Sequence, residues 1–158
     1  MTTNSFLRHT IMDQADTLNA DLESLFYGYR TFTSLPDEML APLQLARVHH
    51  RILYFVARDQ GLSVNTLLAR LGISKQALNR PLRELQTKGL VIASTARHDA
   101  RVKSLALSES GQVLEEQLSS SQRDLLQQAF AQSPESEAGW RKIMSILASN
   151  QRAFRPPA

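Results

Sequence analysis

The chain has 158 residues, enough for one domain or for a two-lobed chain that shares its core with a partner, and too few for a large multidomain enzyme. Hydrophobic residues make up 42% and charged residues 21%, with 6 Gly and 6 Pro, a globular composition and not a disordered or fibrous one. With no cysteine there are no disulfides, thiol nucleophiles, iron–sulfur clusters or thiolate zinc sites, and with neither a bilayer-length apolar run nor a signal-peptide start in MTTNSFLRHT, a soluble cytoplasmic protein is expected.

The first segment places Ile11, Ala15, Leu18, Leu22, Leu25, Tyr29 and Phe32 at alternating spacings of four and three, the a/d seam of a long helix. Thr10 with Asp13 gives a start signal, and Leu35-Pro36 is expected to stop it. A narrow seam needs another helix to cover it, from this chain or from a second copy; an ordinary core helix is the other reading. After a connection from Pro36 to Pro42, Leu45, Val48, Ile52, Phe55 and Val56 mark a second helix that Gly61 can close. In NTLLARLG, Asn65 is expected to cap a short helix whose apolar face is Leu67, Leu68 and Leu71, with Gly72 ending it. Ser74 then caps a fourth helix with Ala77, Leu78, Leu82 and Leu85 as its inward positions, ending at Lys88-Gly89. Two short helices about a Gly-containing turn form a helix-turn-helix.

LVIAST, the polar ARHDAR and VKSLALS read as a β-hairpin with a charged tip. Ser108 caps a further helix through about Ala131, with Val113, Leu114, Leu118, Leu125, Leu126 and Phe130 apolar, and Ser133-Pro134-Glu135 opens a last helix. That helix places Trp140, Ile143, Met144, Leu147 and Phe154 on one side. The fold class is therefore mainly α with a small β-hairpin wing. The net charge of +3 is unevenly spread, since residues 70–103 hold eight bases (Arg70, Lys75, Arg80, Arg83, Lys88, Arg97, Arg101, Lys103) against Glu84 and Asp99. A basic segment on an otherwise acidic chain is the footprint of a phosphate-backbone binder; a solvated charged face is the alternative.

The run from Arg51 to Val91, followed by DARVKSLALSESG, resembles the MarR family of bacterial transcription regulators over about residues 45–111. The most specific part is Asp99-x-Arg101-x-x-x-Leu105-x-Leu107-Ser108-x-x-Gly111, similar to that family's wing-to-helix signature. The resemblance implies a winged helix-turn-helix at 45–110, flanked by dimerisation helices at 1–44 and 111–158, in a homodimer that binds double-stranded DNA with each winged domain in one major groove. The outward side of the fourth helix then supplies Ser74, Lys75, Gln76, Asn79, Arg80 and Arg83: Gln and Asn can read adenine edges, Arg or Lys guanine, and Ser74 can hold a phosphate. In the wing, Arg97 and Arg101 are placed to enter or flank a minor groove, and Asp99 resembles the acid that braces the wing arginine. The resemblance also implies a small aromatic or anionic effector between the dimerisation helices and the winged domain, with Arg47, His49 and His50 as polar candidates and Phe26 and Tyr29 as walls. Two positions depart from the family pattern. Pro81 lies inside the fourth helix, where it removes a bond and is expected to kink or loosen it, and Ala46 stands where relatives often carry a capping Thr.

Other function classes fit less well. No phosphate loop, Gly-x-Ser-x-Gly or recognisable carboxylate pair points to an enzyme. His49-His50 raises a metal sensor, but adjacent helical residues diverge by about 100°, so neither a metal nor a cofactor is expected. A winged module that binds protein in the manner of an antirepressor, and a constitutive DNA binder without ligand, are the remaining alternatives. No membrane partner is expected.

Overall fold

The computed structural model describes residues 3–96 and 99–149, with the backbone alone described at 3–13, 95–96 and 99–103. In chain order it forms α1 (Thr3–Leu40), a 3-10 turn (Ala41–Leu43), α2 (Arg47–Arg58), β1 (Leu62–Ser63), α3 (Val64–Leu71), α4 (Lys75–Thr87), β2 (Val91–Ala96), β3 (Asp99–Leu107), α5 (Glu109–Gln132), a second 3-10 turn (Pro134–Ser136) and α6 (Glu137–Ser149). This is the expected mainly helical, winged architecture. No helix among the described residues is long and apolar enough to cross a membrane.

The chain divides into two units, residues 1–35 and 36–158. The first unit is the greater part of α1, and its seam leucines Leu18, Leu22 and Leu25 are half or more exposed. The expected stop at Leu35-Pro36 does not occur, and α1 continues through Pro36 to Leu40. Pro36 lacks the N–H that would bond to Phe32, yet Pro36 and Leu40 are both buried. Their i, i+4 spacing places them on one face, so apolar burial outweighs the lost hydrogen bond.

The second unit holds a core of Leu40, Leu45, Ile52, Leu53, Val56, Leu62, Leu67, Leu78, Leu85, Val91, Leu105, Leu107, Leu114 and Leu118. The wing is the β2–β3 hairpin, with Val91 opposite Leu107 and Ala93 opposite Leu105, and β1 adds a third antiparallel strand in the order β1-β3-β2. Two residues are too few for an alternating pattern, which is why β1 was not expected; Leu62 faces Leu105 across it. Gly61 does not cap α2, whose C-cap is Asp59. It adopts φ 101° and donates its N–H to the Leu105 carbonyl at 2.8 Å. Ser63, not Asn65, caps α3 by accepting from the Thr66 N–H at 3.1 Å, and Gly72 closes that helix in the left-handed conformation.

Helix α4 runs unbroken from Lys75 to Thr87 through Pro81, which is buried between Leu78 and Leu85 on the inward face. The ring occupies a core position, whereas Ala77, expected inward, is exposed. On α5, Val113 is likewise exposed while Leu114 and Leu118 are buried. A 3-10 turn precedes α6, and Phe154 lies outside the described residues.

The junction of wing and α5 is closely packed. Ser108 Oγ accepts from the Gly111 N–H at 3.0 Å and donates to the Gly89 carbonyl at 2.6 Å, while the Ser108 N–H donates to the Leu90 carbonyl at 3.1 Å. A Cβ on Gly111 would lie 2.1 Å from the Leu90 carbonyl oxygen, which is backbone and cannot turn aside. Overpacking outweighs the helix propensity gained from Ala, so Gly111→Ala should destabilise the fold by ~2 kcal/mol in urea unfolding. An unchanged midpoint would show that α5 can move away from the turn.

Candidate nucleic-acid interface

Helix α4 presents two opposite faces. Leu78, Pro81 and Leu85 are buried, and Ser74, Lys75, Gln76, Asn79, Arg80 and Arg83 are all exposed. Rows 75-79-83 and 76-80 run side by side along the outward face. Ser74 Oγ accepts from the Ala77 N–H at 3.2 Å, which leaves its own O–H to donate outward. No acid stands in the first turn, so the positive end of the helix dipole is open to a phosphate. Lys75 and Arg83 make no ion pair among the described residues.

Arg80 is tied to its own helix: its Nε donates to Glu84 Oε1 at 2.9 Å. The other Glu84 oxygen receives Nε2–H of His49 on α2, at 2.8 Å. His49 Nδ1 in turn accepts from the Ala46 N–H at 2.9 Å, which fixes the ring as the neutral tautomer protonated at Nε2. Ala46 offers no side-chain cap, and the imidazole three residues on supplies the returning half of a capping box. The Arg80 hydrogen bond, and then that of His49, holds the Glu84 carboxyl below its ordinary range.

Wing residues are less fully described. Asp99 and Arg101 lie on β3 with Asp99 opposite Ala96, their side chains outside the described residues, and Arg97 lies outside the described residues altogether.

A profile of the MarR family matches residues 43–102. The HTH-type transcriptional regulator PetP of Rhodobacter capsulatus is 41% identical over 133 residues, which span 84% of this chain and 80% of that protein. The chain belongs to the MarR family. Among solved structures, NadR in complex with 4-hydroxyphenylacetate matches with a TM-score of 0.66 at 19% identity, over 80% of this chain and 91% of that chain. A mutant of S. aureus MepR bound to an oligodeoxyribonucleotide matches at 0.55 and 22%, over 94% and 99%. Both likenesses are of fold. As a MarR family transcriptional regulator the protein carries a DNA-binding winged helix, and α3–α4 with the β2–β3 hairpin are its helix-turn-helix and wing.

The residues expected around an effector have separate surroundings. Phe26 and Tyr29, in the first unit, are 68% and 45% exposed. Arg47 forms a bidentate pair with Asp37, Nη2 to Oδ2 at 2.6 Å and Nε to Oδ1 at 3.0 Å, which keeps the Asp37 carboxyl low. His49 is committed to Ala46 and Glu84, and His50 points the other way, toward α5, where its Nε2 lies 3.5 Å from Ser119 Oγ. Ser119 Oγ donates to Glu115 Oε1 at 2.5 Å, and Arg58 Nη1 reaches the same oxygen at 2.6 Å. No group of three or more metal-ligating side chains occurs among the described residues.

Sequence reasoning missed this second cluster and the part played by Glu84. The i, i+4 spacing of Arg80 and Glu84 was a signal for one contact; the 35-residue separation of His49 and Glu84 gave none.

Burial pushes the His50 imidazole below its ordinary value of 6.5, and Arg58 and Arg51 reinforce this against the opposing pull of Glu115 and Asp37. Below pH 6.5 the unfolded chain therefore binds a proton that the folded chain refuses, so stability is complete above that pH and declines as pH falls toward the folded value. The urea midpoint of wild type should drop between pH 6.5 and 5, and that of His50→Gln should drop less. Parallel pH profiles would contradict this.

Proposed function

We propose that the protein acts as a homodimer on a pseudo-palindromic operator in double-stranded DNA, represses the gene beside it, and is released by a small aromatic or anionic effector. The observation that carries the DNA reading is the outward face of α4, where Ser74, Lys75, Gln76, Asn79, Arg80 and Arg83 are exposed directly behind a buried leucine face. Lys, Arg, Gln and Asn in adjoining rows are the side chains that read major-groove edges and neutralise phosphates. The wing residues Arg97 and Arg101 fit an adjacent minor groove, with Asp99 orienting the arginine.

Two apolar faces support the dimer. Leu18, Leu22 and Leu25 on α1, and Trp140, Ile143 and Leu147 on α6, are each 42–58% exposed in the single chain. Exposed apolar area on that scale marks a surface that another protein covers. A dimer on two half-sites occludes a promoter from polymerase, which is the simplest route to repression. For the effector, the support is the ligand carried by NadR and the polar groups of α2, with Arg47 and His50 as its polar candidates on this chain.

Sedimentation at micromolar concentration should give a dimer, and Leu22→Glu with Ile143→Glu should give a folded monomer that loses operator affinity. Genomic fragments retained by the dimer should contain half-sites about one helical turn apart, near 10 base pairs. Affinity should fall with salt at a log–log slope of about −0.9 per phosphate neutralised. A stable wild-type monomer would overturn the dimer.

Arg101→Ala should weaken operator binding by roughly 1–3 kcal/mol and leave the dimer intact, with a smaller loss for Asp99→Ala. Equal affinity of wild type and Arg101→Ala would remove the wing from the interface. A panel of phenolic and other aromatic acids should include a compound that both releases DNA and raises the melting temperature of the free protein, as linkage requires. If none does either, the constitutive DNA binder is the correct reading.

A further inference from the structure

An i, i+4 Arg–Glu pair on an exposed helix is ordinarily weak, because both side chains must be immobilised in water for one screened contact. Arg80 and Glu84 differ in what stands behind them. His49 is 5% exposed and held at both ring nitrogens, by the Ala46 N–H at 2.9 Å and by Glu84 Oε2 at 2.8 Å. The Glu84 carboxylate is therefore anchored by a buried group on a different helix. Its second oxygen takes Arg80 through Nε at 2.9 Å, and the two terminal Nη groups of this 88% exposed side chain make no hydrogen bond among the described residues. A guanidinium held at Nε offers its terminal nitrogens as a fork, the geometry that pairs with O6 and N7 of guanine.

We propose that His49 is a positioning residue for base recognition: acting through Glu84, it fixes Arg80 on the outward face of α4 so that Arg80 reads a guanine in the major groove of each half-site. The inference rests on the reading of that face as the DNA contact. Two features distinguish it from a general effect of charge. Glu84 is an acid on a helix that faces a polyanion, so electrostatics alone predicts that removing it strengthens binding to every duplex. Positioning predicts that removing it costs discrimination at one base pair while non-specific affinity holds or rises. His49 is buried behind Glu84 and does not face the duplex, so any part of its effect that depends on Arg80 passes through the carboxylate that it holds.

The experiment uses the full-length protein and a duplex selected from genomic fragments. Each guanine of one half-site is replaced in turn by 7-deazaguanine, which removes the N7 acceptor and keeps the base pair. Wild type should lose affinity by about tenfold at one such position, and Arg80→Ala should show no loss there. His49→Leu and Glu84→Ala should each reduce that discrimination below about threefold, and neither should change it further in an Arg80→Ala background. Glu84→Ala should also bind a non-specific duplex at least as well as wild type does. If His49→Leu fails to fold, Glu84→Ala decides alone, because Ala is favoured within a helix and Glu84 is only half-buried. Full discrimination in both His49→Leu and Glu84→Ala, with Arg80→Ala having lost it, would overturn the positioning role and leave the DNA reading of α4 intact. Full discrimination in Arg80→Ala itself would show that Arg80 reads no guanine, and would overturn both the inference and this part of the recognition face.

Discussion

The contact between Gly111 and the Leu90 carbonyl is the constraint on which the winged unit depends. Leu90 follows α4, β2 begins at Val91, and Gly111 lies in the first turn of α5, so three elements meet within one backbone-to-backbone approach. Ser108 closes the same junction by capping α5 with its lone pair while donating its proton to Gly89. Leu105 and Leu107, immediately before it, are buried in the core alongside Leu85 and Val91. Four of the six named positions of the wing-to-helix signature are thus explained by packing: leucines fill the core, serine caps, and only glycine fits. The side chains of the other two, Asp99 and Arg101, lie outside the described residues.

Helix α2 is the hub of the polar interactions. Its neighbouring histidines diverge by about 100°, which allows each to serve a different helix. His49 turns to Glu84 on α4, and His50 turns to Ser119 on α5. Arg47 fixes the start of α2 to Asp37 near the end of α1, and Arg58 fixes its other end to the buried Glu115. Glu115 is a buried carboxylate and would be costly to strip of its partner, so the Arg58 contact adds to the leucine packing that holds α2. Any ligand that competes for Arg47 or His50 would act on the same helix that holds Glu84 and Arg80.

Most of this architecture was legible in the sequence because long helices advertise themselves by period, and the capping residues Ser74 and Ser108, together with Gly72, stood where the pattern changed. Elsewhere tertiary burial or a competing local contact overrode the signal. Pro36 reads as a stop, yet its ring and Leu40 are buried on one face and α1 continues. Pro81 lies inside α4, which runs on past it to Thr87 with the ring buried beside Leu78 and Leu85. Asn65 is a good cap by type, but Ser63 at the end of β1 reaches Thr66 first. The outward face of α4 was readable residue by residue. Its wiring was not, since His49 and Glu84 are brought together by the packing of α2 on α4 and by nothing in their spacing.

The most direct test of the account is a map of which backbone amides respond when the protein meets its selected operator duplex. Amide hydrogen exchange or NMR shift perturbation in the full-length protein should localise protection to residues 74–83 of α4 and to the β2–β3 hairpin, with α6 unaffected. Protection confined to α6 or to the first unit, with residues 74–83 unchanged at saturating DNA, would contradict the assignment of α4 as the recognition helix.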